Sequence, residues 1–171
     1  METELGDKVK RMGGCACGQI RYGFYEPIAA QVACHCRACQ YASGGAPAYV
    51  VSVRRDEFRV TKGRPREFST LADSGNHVTR VFCENCGTPL YAYNDAHPEF
   101  CAVKVGSLDE PEKYKPRMHI WMSEAQPWHR RSWFSLRFSK NPPFRGGQAA
   151  AKADSDDRVG SMAAQSDEER L

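Results

Sequence analysis

Six residues, Cys34-His35-Cys36-Arg37-Ala38-Cys39, carry three thiols, and no other stretch restricts the fold of this chain so strongly. Two cysteine pairs flank it, Cys15-Ala16-Cys17-Gly18 before and Cys83-Glu84-Asn85-Cys86-Gly87 after. Soft thiolate ligands at these spacings read as zinc sites, because a tetrahedral ion takes two sulfurs from one tight turn. The two pairs together supply four sulfurs, a closed structural site. The triplet supplies three and leaves one position for something else. Four protein ligands make scaffold, whereas three and an open position make a Lewis acid. Two zinc ions per chain are therefore expected, held by seven of the eight cysteines.

With 171 residues, 41% of them hydrophobic, the chain suits a single soluble domain with a real core. No apolar run approaches the roughly 20 residues of a bilayer-spanning helix, so no membrane partner is expected. The opening stretch from Met1 to Lys8 is polar and lacks the apolar run of a signal peptide. That reading makes the protein cytoplasmic, where reduced thiols favour metal over disulfides. The formal net charge of +3 counts every cysteine as neutral. Seven thiolates and two zinc ions bring it to zero, which removes the basis for a nucleic-acid partner. Basic residues occur only in short doublets such as Arg54-Arg55 and Arg130-Arg131.

Taken in order, residues 1–11 form a lead-in without apolar periodicity. Ile20, Tyr22 and Phe24 then alternate with Arg21 and Gly23, the period of a half-buried strand. Gly18 lets the backbone close around a metal, placing its amide to donate to a thiolate. Gln31 to Cys34 reads as a short strand running into the triplet. Arg37 to Ala42 reads as a turn of helix stopped by Ser43-Gly44-Gly45, with a helix cap favoured over a backbone ligand site. Strands are expected over Ala48 to Val53, Glu57 to Thr61, Arg66 to Leu71 and His77 to Phe82. Pro89 to Tyr93 and Phe100 to Val105 read as a hairpin, and His119 to Met122 as a further strand. Residues 145–171 change to Ala, Ser, Gly, Asp and Glu and read as a disordered tail, too poor in large apolar side chains to offset its ordering entropy.

Three motifs occur in order: C-x-C-G at Cys15 to Gly18, C-H-C-x-x-C at Cys34 to Cys39, and F-C-x-x-C-G-T at Phe82 to Thr88. Gly106-Ser107-Leu108-Asp109, His119-Ile120-Trp121 and Pro127-Trp128 follow them. In these motifs the chain resembles the glutathione-dependent formaldehyde-activating (GFA/CENP-V domain) family over roughly Met12 to Phe144. The resemblance implies a zinc-binding domain over 12–144 that is mainly β, built of several small coiled antiparallel sheets around zinc knuckles with short helical turns. It also implies a structural zinc on Cys15, Cys17, Cys83 and Cys86, and a catalytic zinc on Cys34, Cys36 and Cys39. The activity it implies is carbon–sulfur lyase chemistry of the S-(hydroxymethyl)glutathione synthase kind, with a small thiol such as glutathione and an aldehyde as partners.

Plainer readings stand beside these. The triplet is a second structural site if His35, His119 or Cys101 completes it, and the protein is then a non-catalytic scaffold for a protein partner. It is a zinc enzyme of another kind if the open position takes a different small molecule. His35, between two ligating cysteines, is expected to point away from the metal and support it from behind. Cys101 is expected as a buried core thiol and His119 as a hydrogen-bonded strand residue. Trp121, Trp128 and Trp133 read first as core or rim aromatics and second as cleft lining. Arg54 and Arg55 read as solvated turn charges, although an arginine near the open position would suit the carboxylates of glutathione.

Overall fold

Eleven short strands, one α-helix and four 3-10 turns make up the computed structural model, which describes residues 10–72, 75–129 and 135–143. Strands β1 (Lys10–Gly14), β2 (Arg21–Tyr25) and β5 (Phe58–Lys62) form a three-stranded antiparallel sheet in the order β1-β2-β5. The larger sheet has eight strands. These are β3 (Ala30–Cys34), β4 (Ala48–Arg54), β6 (Arg66–Leu71), β7 (His77–Phe82), β8 (Pro89–Asn94), β9 (Phe100–Lys104), β10 (Met118–Ile120) and β11 (Leu136–Arg137). Their order is β11-β10-β3-β4-β9-β8-β7-β6. The only α-helix among the described residues is α1 (Arg37–Tyr41). The protein is mainly β, as the motifs imply, with single 3-10 turns at Arg55–Glu57, Val105–Ser107, Pro111–Lys113 and Met122–Glu124.

The pairing departs from a purely antiparallel pattern at one end of the larger sheet. There β10 lies parallel to both β3 and β11. A parallel neighbour needs a long return path. The chain from β9 supplies one through its two 3-10 turns, and Gln31 holds the far end by accepting the amides of Lys115 and Arg117. At the start of the chain, β1 begins at Lys10, two residues inside the segment read as a lead-in. Its partner is β2, where Lys10 faces Tyr25, so pairing rather than apolar periodicity orders it. The expected strand over His119 to Met122 stops at Ile120, because Trp121 adopts a left-handed conformation with φ 58 and ψ 42. The expected tail, 145–171, and Trp133 lie outside the described residues.

The core sits between the two sheets. Tyr22 and Phe24 of β2 are fully buried, as their alternation predicts, against Val51 and Val53 of β4, Leu90 of β8 and Val103 of β9. Phe58 joins the layers: its ring centroid lies 5.2 Å from that of Tyr22 and 4.6 Å from that of Tyr91. The buried Tyr22 hydroxyl is satisfied by Ser107 Oγ at 2.6 Å, so the expected turn at Gly106 to Asp109 anchors the core. No helix among the described residues is long and apolar enough to cross a membrane.

Candidate metal centres

The two cysteine pairs meet at one edge of the sheet packing. Cys15 and Cys17 follow β1, and Cys83 and Cys86 lie in the turn between β7 and β8. All four sulfurs fall within 4.8 Å of one another. A tetrahedral zinc with bonds of about 2.3 Å sets its sulfurs about 3.8 Å apart. Cys15 and Cys17 are separated by 3.4 Å, and Cys17 and Cys83 by 3.7 Å, close to that edge. The two turns share one design. Gly18 donates its amide to the Cys15 carbonyl at 3.0 Å, and Gly87 donates to the Cys83 carbonyl at 2.8 Å. Both glycines take positive φ, 72 and 70, which only glycine adopts without cost. The amide that reaches the Cys15 sulfur belongs to Ile20, at 3.1 Å, and not to Gly18 as the motif suggested. Gly18 is committed to closing the turn. Thr88 ties the pairs together, its Oγ1 accepting the Ala16 amide at 3.2 Å while lying 3.2 Å from Cys86 Sγ. Burial pushes Cys83 up to about 11, whereas hydrogen bonding from Thr88 brings Cys86 down to about 6.

The triplet is local. Cys34 ends β3, Cys36 caps α1, and Cys39 lies within that helix. Their sulfurs also lie within 4.8 Å of one another, and Cys36 Sγ accepts the Cys39 amide at 3.4 Å. Hydrogen bonds from Cys34 and Cys36 bring Cys39 down to about 3, with the positive charges of Lys104 and Arg80 adding to the effect. The same contacts, with burial, push Cys34 far up. Three thiols so close cannot all ionise without a cation among them. Both groups thus have the donors and the spacing to hold a metal ion.

His35 points away from the sulfurs, into a buried chain of three imidazoles. Its Nε2 lies 2.9 Å from His119 Nδ1, and its Nδ1 lies 3.0 Å from His129 Nδ1. His129 Nε2 is 2.9 Å from the Gly45 carbonyl, which can only accept, so that nitrogen carries hydrogen. His129 Nδ1 receives the Gln126 amide at 3.2 Å. With uncharged rings only one set of tautomers fits: His119 donates to His35, His35 to His129, and His129 to Gly45. The arrangement fixes the back of the triplet to β10 and to the turn at 126–129. Gly45 also donates its amide to the Gln40 carbonyl at 2.8 Å, so the glycine stop is a helix cap, as favoured from the sequence.

In front of the triplet lies a cleft of about 490 Å³, with Cys36, Tyr41, Phe68, Leu71, Arg80 and Trp121 on its walls. Trp121 is held at its mouth by Nε1 donating to Asn141 Oδ1 at 2.7 Å. Trp128 is 72% exposed and belongs to the surface, edge-on to His129. Cys101 is a buried core thiol on β9, as expected. Arg54 is paired with Asp56 at 2.6 Å, and the Arg55 guanidinium lies 4.3 Å from the Tyr93 ring centre. Neither lines the cleft. The arginine that does is Arg80, which the motifs passed over. Its one sequence signal is a charge in the middle of an otherwise strand-forming run, His77 to Phe82.

The sequence profile described as "Glutathione-dependent formaldehyde-activating enzyme" matches residues 10–124. The chain belongs to the GFA family. This family contains glutathione-dependent formaldehyde-activating enzymes and binds zinc, in keeping with the two sulfur groups. Among solved structures, the crystal structure of a Rhodobacter sphaeroides protein is 22% identical, covering 57% of this chain and 87% of its own, with a TM-score of 0.47. No curated protein matches the chain.

Proposed function

We propose that this GFA-family protein is a zinc-dependent carbon–sulfur lyase of the S-(hydroxymethyl)glutathione synthase type, which joins a small thiol to an aldehyde. Glutathione and formaldehyde are the pair that the family description suggests. On this reading Cys15, Cys17, Cys83 and Cys86 hold a structural zinc, and Cys34, Cys36 and Cys39 hold a catalytic one. The observation that carries it is the contrast between the two groups. One gathers four sulfurs, and the other, among the described residues, gathers three donors beside an open cleft with Cys36 on its wall.

Zinc held by three thiolates supplies one exchangeable position, where a thiol loses its proton far more readily than in water. The protein's own side chains arrange the rest. Arg80 and Lys104 place positive charge near Cys39, which offsets the surplus negative charge of three thiolates around a dication. The ring of His35, engaged with His119 and His129, is kept behind the sulfurs and out of the open position. Tyr41, Phe68 and Trp121 confine the two reactants in one cleft, and proximity supplies much of the acceleration. A carbon–sulfur bond forms at the carbonyl carbon, the carbonyl π pair moves to oxygen, and oxygen takes up the proton that the thiol released. The adduct needs no oxidant or reductant. A reducing compartment such as the cytoplasm suits its eight free cysteines.

X-ray absorption at zinc tests the reading. The two-zinc protein should average about 3.5 sulfurs per ion at about 2.3 Å, and glutathione should raise the average to about four. Four protein donors at each ion, unchanged by glutathione, would instead favour a scaffold. A shift caused by another small molecule, but not by glutathione, would keep the open centre and remove the glutathione assignment.

A further inference from the structure

The cleft in front of the triplet holds a cation that the addition of a thiol to an aldehyde does not itself require. Of the three half-buried arginines among the described residues, Arg11 is paired with Glu26 at 2.8 Å and Arg21 with Asp109. Arg80 has no carboxylate partner among those residues. It stands in the middle of β7, opposite Phe68 of the edge strand β6 and Ala92 of β8, with its side chain on the cleft wall. The acidic side chain on that wall, Glu124, is engaged at the start of α1, where its Oε2 accepts the Arg37 amide. Phe68, which faces Arg80 across the strand pair, and Leu71, 59% and 63% exposed, give the same cleft apolar surface. An ion pair formed against such walls is screened less than one in open water.

We propose that Arg80 binds a carboxylate of the thiol substrate, so that the cleft selects an anionic thiol over its neutral analogue. The proposal rests on the reading of Cys34, Cys36 and Cys39 as the reacting centre. A guanidinium offers two parallel N–H donors that match a carboxylate, a fit that a lysine ammonium lacks. Apolar parts of the same substrate would lie against Phe68, Leu71 and Tyr41. The reacting sulfur would then enter from the Arg80 side of the cleft and reach the triplet past Cys36.

The test is a titration of the cobalt-substituted protein with N-acetylcysteine and with N-acetylcysteine amide, which differ in the carboxylate. Ligand-field bands report thiol binding at the triplet, and the ratio of the two affinities is compared between wild type and Arg80→Met. Taking that ratio in both proteins cancels the different acidity of the two thiols. The preference for the acid should fall about tenfold in Arg80→Met, the scale of one charge-assisted hydrogen bond. Affinity for the amide should fall less than affinity for the acid, because both thiols lose the charge near Cys39 but only the acid loses a partner. The band shift that the amide still causes shows that the variant is folded. Arg80→Lys should keep part of the preference, because the charge remains without the fork. An unchanged ratio in Arg80→Met, with band shifts intact, would overturn the role of Arg80 and leave the open centre standing. No band shift with either thiol would overturn the open centre and the role of Arg80 with it.

Discussion

Cys101 shows what one buried side chain can report about this protein. It lies on β9 opposite Val53 of β4, within the core, and burial pushes its thiol up to about 12 from an ordinary 9. The folded state thus holds the proton more tightly than the unfolded chain does. Its contribution is complete below pH 9 and is lost as pH rises from 9 towards 12, because the unfolded chain ionises first. Urea unfolding of the zinc-loaded protein should lose up to roughly 1.4 kcal/mol for each pH unit in that window on account of this residue alone. Cys101→Val, which has nothing to ionise, should show a shallower alkaline decline than wild type. Parallel profiles for the two would mean that water reaches the thiol. The eighth cysteine was legible as a core residue because it sits in an apolar strand. Arg80 and the partners of His35 were not, and the reason is physical. Residues 35, 119 and 129 meet only after strands distant in sequence have paired, and Arg80 enters the cleft only because β6 closes the sheet beside β7.

At the scale of elements, the two glycine-closed turns carry the most information. Gly18 and Gly87 follow the second cysteine of each pair, take nearly the same φ, and donate to the carbonyl of the first cysteine. A Cβ added at Gly87 would meet nothing within 4 Å, so the cost of Gly87→Ala is conformational and not steric. It should destabilise the zinc-loaded protein by about 1 kcal/mol, the penalty of a left-handed backbone in an alanine. Gly18→Ala, with the same open surroundings, should cost the same. Urea midpoints converted with a common m-value give the comparison, and a much larger loss at either site would show that the turn has further duties. These turns were legible because spacing within a few residues fixes local geometry. Most strands were too, since alternation survives whatever they pair with. What local pattern did not carry was β1 at Lys10 and the parallel entry of β10, both set by neighbours remote in sequence.

Across the whole molecule the two sulfur groups differ in what they connect. Cys15 and Cys17 extend from the three-stranded sheet, whereas Cys83 and Cys86 belong to the eight-stranded one. An ion held by all four cross-links the sheets above the core that Phe58 and Tyr22 fill between them. It also closes a long loop of chain, and the entropy removed from the unfolded state grows with loop length. The triplet closes only the few residues between β3 and α1, and His35, His119 and His129 brace it from behind without any metal. Removing one ligand from each group should therefore give two different phenotypes. Cys83→Ser should lower the melting temperature by more than about 10 °C, because zinc at such a site contributes folding free energy directly. Cys36→Ser should retain about one zinc per chain and melt within a few degrees of wild type. Mild chelation of the wild type should follow the same division, with one equivalent leaving early while far-ultraviolet circular dichroism is unchanged, and the second leaving only as the protein unfolds. Metal analysis at each step of the chelation provides the check. If both equivalents leave together with the fold, the two centres are one cooperative unit, and the division into a sheet-linking ion and a reacting ion fails.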